Sequence, residues 1–160
     1  MAYTRVLAAI DRSPLGQQVF DQALAIAKQD QAALLLFNVL PIEPEMSPYV
    51  PLFQDDIGGF SSLAQQNLQQ ESEAIRLWLE ELAQKAIAAG VTPEWDIKVG
   101  EPGRWIRDVA KSWNADLIVI GRRGLKGIAE AFLGSVSNYI VHHVHRSVLI
   151  IQGEEIKEKP

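Results

Sequence analysis

The sequence predicts a doubly wound α/β sandwich: five strands, alternating with four helices, form an open parallel sheet covered on both faces. Three observations carry that expectation. Short apolar runs alternate with amphipathic segments along the whole chain, the pattern of repeated βαβ units. The runs at 5–10, 33–40 and 117–120 are apolar without alternation, as strands covered on both faces must be. Glycines then gather at 121–134, where a strand-like run gives way to a helix.

Length and composition set the bounds. A chain of 160 residues is one domain with room for a substantial core, here 1–152, followed by a charged tail, 153–160, that ends in proline. With 48% hydrophobic and 22% charged residues it is an ordinary globular composition. A net charge of −5 argues against non-specific nucleic-acid binding, which wants a basic face. The absence of cysteine excludes disulfides, thiolate metal sites and cysteine nucleophiles together. No apolar run approaches the roughly 20 residues of a membrane helix. Strand-like sequence beginning at Arg5 leaves no room for a signal peptide, so a cytoplasmic, membrane-free protein is expected.

Taken in order, Arg5-Val-Leu-Ala-Ala-Ile is the first strand and sets Asp11 at its C-terminal tip. Ser13-Pro14 reads as an N-cap and first helical residue, and Val19, Phe20, Ala23, Leu24 and Ala27 recur at helical spacing. Residues 33–40 are the second strand. Residues 41–60, with four prolines and Gly58-Gly59, argue against a long helix or central strand and read as a surface excursion or a lid. A long helix is expected over 61–89, with Leu68, Ile75, Leu79, Leu82 and Ala86 on one face and Gly90 as its C-cap. Residues 93–99 alternate as a half-exposed strand does, 100–103 turn the chain, and Trp105, Ile106, Val109 and Ala110 mark a third helix. After the strand at 117–120 and the glycine stretch, a helix runs over 136–145. A fifth strand, Ser147 to Gln152, closes the sheet.

The glycine stretch joins a strand to a helix, where backbone N–H groups converge and the helix dipole adds partial positive charge. That is a phosphate cradle. Arg122, Arg123 and Lys126 stand in it, although adjacent arginines do not both point at one ligand. A Walker loop is excluded, because no glycine is followed by Lys and then Ser or Thr. The dinucleotide fingerprint is excluded too, since the first strand is followed by Asp11-Arg12-Ser13.

The spacing Gly121-x2-Gly124-x9-Gly134-Ser135, with Asp11 and the strand pattern, strongly resembles the ATP-binding branch of the universal stress protein family. The resemblance spans Arg5 to Gln152. It implies the adenine nucleotide alpha-hydrolase-like three-layer sandwich, with sheet order 3-2-1-4-5. It also implies a site for ATP, or AMP or ADP, with Mg2+ accompanying the phosphates near Ser135. In that resemblance Asp11 contacts the nucleoside, Val39 packs on adenine, and Ala9 lines the same side. Gly121, Arg122, Arg123 and Gly124, with Gly127 beyond them, wrap the ribose-phosphate region. Gly134, Ser135, Val136 and Ser137 hold the distal phosphates. The family pattern further implies a homodimer through Ser147 to Gln152 and a regulatory protein partner. The chemistry agrees: glycine admits close approach of the backbone to phosphate, and a carboxylate at Asp11 suits ribose hydroxyls but repels phosphate. Ser135, at a helix start, is the expected N-cap.

Other residues weigh less. His142, His143 and His145 lack a carboxylate at useful spacing, and histidines near a helix C-terminus are favourable without a metal. Trp78, Trp95, Trp105 and Trp113 fit core or boundary packing, with Trp105 near the pocket rim. No base stands beside Ser135 or Ser137, so no catalytic residue is expected. The function expected is nucleotide-dependent regulation of a stress response. The alternative is a slow ATPase or phosphotransferase on the same cradle, for which no positioned base is visible.

Overall fold

The computed structural model describes residues 2–41, 57–122 and 133–153. Its elements are β1 (Arg5–Ala9), α1 (Pro14–Asp30), β2 (Ala33–Leu40), α2 (Ile57–Ala88), β3 (Pro93–Val99), α3 (Pro102–Ser112), β4 (Leu117–Gly121), α4 (Ser135–His143) and β5 (Ser147–Ile151). The five strands form one sheet in the order β3-β2-β1-β4-β5, every neighbouring pair parallel. The expected class and strand order are both observed.

Period-two alternation divides the strands between two cores. Val6, Ala8, Leu34, Leu36, Leu117 and Val119 pack with buried residues of α1 and α2. Their sequence neighbours Leu7, Leu35, Phe37, Ile118 and Ile120 pack with Ile106 and Ala110 of α3 and Ile140 of α4. Central strands therefore have no polar face. The edge strand β3 has one: Glu94, Asp96 and Lys98 alternate with Trp95 and Ile97, which join the α1/α2 core.

Helix boundaries correct several expectations. Helix α2 begins at Ile57, so Gly58-Gly59 lie inside it. Each glycine costs a helix about 1 kcal/mol, but extending a nucleated helix is cheap, and Ile75, Leu79, Leu82 and Ala86 anchor its other half in the core. Leu68, expected on that buried face, is 36% exposed. The rest of the irregular segment, 42–56, lies outside the described residues. The C-cap at Gly90 is as expected: its φ is +86°, and Val91 N–H returns to the Ala86 carbonyl at 3.0 Å. Gly103 belongs to α3, not to a turn. A Cβ there would stand 2.7 Å from Tyr139 Cδ1, so the glycine lets α3 and α4 approach. Helix α4 stops at His143, which leaves His145 outside it.

The N-terminal end of the sheet is closed by Asp116. Its Oδ2 accepts from the Thr4 N–H and Thr4 hydroxyl, each at 2.8 Å, and its Oδ1 accepts from the Arg5 N–H at 3.0 Å. Arg5 reciprocates across the same gap, donating from Nε to the Trp113 carbonyl at 2.7 Å with its guanidinium 4.0 Å over the Trp113 ring. Partial burial pushes the Asp116 pKa up, but the bonds from Thr4 and Arg5 outweigh it and hold the carboxyl below its ordinary value. A depressed pKa contributes stability above the unfolded-state pKa, and that stability is lost as pH falls through the folded value. Asp116→Asn turns an amide NH2 toward one of these donors. It should cost about 1–3 kcal/mol at pH 7 and flatten the acid limb of the stability profile, as followed by urea melts between neutral and acidic pH.

Candidate functional site

The strand order reverses between β1 and β4, which places a cleft at their C-terminal tips. Ala9 pairs with Ile120, so Asp11 and Gly121 emerge side by side although 110 positions separate them in the chain. Ala9, Val39 and Val136 all pack against the α3/α4 core at this end, as does Trp105. Four elements thus bring the expected apolar residues onto one side of the cleft.

Asp11 is held by the turn that starts α1. Its Oδ1 accepts from the Ser13 N–H at 3.0 Å and from the Ser13 hydroxyl. Ser13 is the N-cap, and its Oγ in turn accepts from the Gly16 N–H at 3.0 Å. Cap and carboxylate form one relay through Oδ1, and Oδ2 accepts nothing from the described residues. Gly16, which the sequence reading passed over, makes the relay possible. A Cβ there would meet the Asp11 carbonyl oxygen at 1.9 Å. The signal available was a glycine in the first turn of an otherwise regular helix.

On the β4 side, Arg122 N–H donates to the Ile151 carbonyl at 2.9 Å, continuing the β4–β5 ladder. The Arg122 carbonyl then accepts from the Gly134 N–H at 2.8 Å and from the Ser137 hydroxyl at 3.0 Å. These bonds draw both ends of the glycine stretch together and set the start of α4 at the tip of β4. The Arg122 guanidinium reaches Gln152, Nη1 to Oε1 at 2.9 Å. Arg123, Gly124 and Gly127, with Lys126, lie outside the described residues.

Two serine roles differ from expectation. Gly134 is the N-cap of α4 and Ser135 is its first helical residue, with the Gly134 N–H bonded back to the carbonyl of Arg122, the residue just past β4. Ser135 remains exposed at the cleft. Ser137 is 1% exposed, and its hydroxyl is shared between the Arg122 and Gly134 carbonyls. Its side chain holds the loop ends together, while its amide stays among the first-turn N–H groups that have no partner within a helix.

At the rim, Trp105 Nε1 donates to the Val99 carbonyl at 3.0 Å, and the Lys98 ammonium stands 5.4 Å from the ring centroid. The histidines do not converge: His143 stacks on Tyr139 at 4.0 Å and its Nδ1 meets the Tyr139 carbonyl at 2.8 Å. Among the described residues no group of three His, Asp or Glu side chains could hold a metal ion.

A parallel sheet whose strand order reverses, with a helix N-terminus and a carboxylate at the tips on either side of the reversal, defines an α/β protein of the doubly wound class. The chain belongs to the universal stress protein family, which it matches over residues 2–152. It is 47% identical to universal stress protein Sll1388 of Synechocystis over 95% of this chain and 99% of that one. A universal stress protein solved in complex with cAMP is 27% identical and superposes with a TM-score of 0.65, covering 95% of this chain and 98% of that one. The Archaeoglobus fulgidus universal stress protein in complex with dAMP has the same fold, with a TM-score of 0.61 at 21% identity over 95% of this chain and all of that one, 100%.

The Gly16 contact yields a test. Alanine normally stabilises a helix over glycine by about 1 kcal/mol. Gly16→Ala should instead lower stability by about 1–3 kcal/mol, the cost of overpacking against a backbone carbonyl, as measured by chemical denaturation.

Proposed function

We propose that this protein is a cytoplasmic regulator that binds an adenine nucleotide, ATP in the first instance, at the tips of β1 and β4 and signals occupancy to a protein partner in a stress response. The observation that carries the reading is the juxtaposition of two opposite demands on one ligand. The α4 N-terminus offers first-turn amides with no partner within the helix and a positive dipole end, which suit phosphate. Across the reversal, Asp11 keeps one carboxylate oxygen that accepts nothing from the described residues, which suits hydroxyl donors and repels phosphate. A molecule with polyphosphate at one end and a sugar at the other satisfies both. Ala9 and Val39 supply an apolar surface for a flat base beyond the sugar. The relatives solved with cAMP and dAMP support an adenine nucleotide as the ligand class.

In this reading Gly121, Arg122, Arg123, Gly124 and Gly127 line the ribose-phosphate path. Gly134, Ser135, Val136 and Ser137 meet the distal phosphates, chiefly through backbone amides. Ser135 is the hydroxyl available to a phosphate oxygen or to a water of an accompanying Mg2+.

The sheet edges support a homodimer through β5. Edge strand β3 carries Glu94, Asp96 and Lys98, charges of the kind that discourage strand addition. Edge strand β5, Ser-Val-Leu-Ile-Ile, carries none, and its four apolar residues are only partly buried. A second copy on that edge completes a closed two-fold pair.

Four measurements test these statements. Nucleotide released by acid from the purified protein, identified by chromatography, should be adenine-based. Asp11→Ala should weaken ATP binding by about 1–3 kcal/mol in calorimetry, the worth of a charge-assisted hydrogen bond. Multiple turnovers of ATP with Mg2+ within minutes would instead identify an enzyme. Light scattering at micromolar concentration should give the mass of two chains, and Leu149→Lys in β5 should return one.

A further inference from the structure

Asn38 is 4% exposed and lies in β2 between Phe37 and Val39, on the face that α1 and α2 cover. Its Nδ2 donates to the Ile10 carbonyl at 2.8 Å. Its Oδ1 is buried and has no partner among the described residues. Stability does not account for asparagine at this place. A leucine would leave the Ile10 carbonyl unpaired in exchange for the unpaired Oδ1, and would bury more apolar surface.

What asparagine supplies is direction. The β1 ladder ends at Ala9, and Ile10 lies just past it. Two bonds from β2 hold Ile10 there: its N–H donates to the Phe37 carbonyl at 2.9 Å, and its carbonyl accepts from Asn38. The Ile10 carbonyl shares a rigid peptide plane with the Asp11 N–H. Fixing that oxygen therefore fixes the plane from which the Asp11 side chain departs. Beyond Asp11, the Ser13 cap and the close approach of Gly16 hold the other side.

We infer that Asn38 is a positioning residue for Asp11: it clamps the Ile10–Asp11 peptide so that the carboxylate meets the sugar hydroxyls of a nucleotide in a preset orientation. The inference rests on the reading of Asp11 as the sugar ligand. It extends the site to a residue on the opposite face of the sheet that never touches the ligand.

The test is a double-mutant cycle with ATP as the probe, read by calorimetry, with a thermal melt of each variant. Wild type and Asp11→Ala are measured first. If wild type binds no ATP, or Asp11→Ala binds as well as wild type, the reading of Asp11 falls and this inference falls with it. With that reading standing, Asn38→Leu should keep its melting temperature within about 3 °C and weaken ATP binding roughly 5- to 20-fold, through lost preorganisation. In the Asp11→Ala background it should add less than about 2-fold. Unchanged ATP affinity in Asn38→Leu, or an equal loss in both backgrounds, overturns the inference while leaving Asp11 in place. Asn38→Val, smaller and strand-favouring, carries the same expected split if leucine overfills the position.

Discussion

Strand β1 pairs with β2 on one side and β4 on the other, Ala8 facing Leu36 and Val119 at the same level. Both faces of β1 are covered beyond Arg5, so Val6, Leu7 and Ala8 are apolar and buried, and its backbone bonds run to two partners. A strand in that position has little freedom of register: a one-residue slip would exchange the residues of the two cores. The chain reaches β2 directly through α1 but returns to β4 only after β3 has been laid at the far edge. The connections after β1 and β4 therefore leave toward opposite faces, and the space between their tips is left open. The position of the cleft follows from connectivity alone.

Into that space the chain places two turns that are tight for different reasons. The β1–α1 turn is tight because Gly16 lets the helix rest on the Asp11 carbonyl, with Ser13 joining cap and carboxylate. The β4–α4 connection is long in sequence, but its ends are drawn together by the Arg122 carbonyl, which serves both Gly134 and Ser137. Local bonding thus leaves one carboxylate oxygen at the tip of β1 and one helix N-terminus at the tip of β4 without partners among the described residues. A site whose supporting groups are satisfied within the protein presents its remaining groups without first having to rearrange them.

The two ends of the sheet contrast. At the N-terminal ends of the strands, Asp116, Thr4, Arg5 and Trp113 form a closed set of hydrogen bonds and a cation–π contact that lash β1 to β4. At the C-terminal ends, polar groups have no partner among the described residues: Asp11 Oδ2, the Asn38 Oδ1 and the first-turn amides of α4. Closed hydrogen bonding concentrates at one end of the same strands, and the polar groups without such partners gather at the other.

The sequence by itself determined the fold class, the order of the elements and the residues flanking the cleft, because each rests on a local signal. Unbroken apolar runs mark central strands, the alternation in 93–99 marks an edge, and Ser13-Pro14 and Gly90 mark helix ends. Strand order and the glycine spacing were legible through family resemblance. Only the tertiary structure decided the rest, because it depends on contacts between distant segments. Gly16 reads in sequence as a glycine inside a helix and Gly103 as part of a turn, yet both lie in helices, where one meets a backbone carbonyl and the other a tyrosine of α4. Gly134, bonded to the Arg122 carbonyl, takes the cap position expected for Ser135, and Ser137 turns inward to the Arg122 and Gly134 carbonyls. Asn38 reads as one polar residue in a buried strand until Ile10, 28 positions away, supplies the carbonyl that it holds. Local propensity specifies which element forms, and close packing specifies which atom each side chain meets.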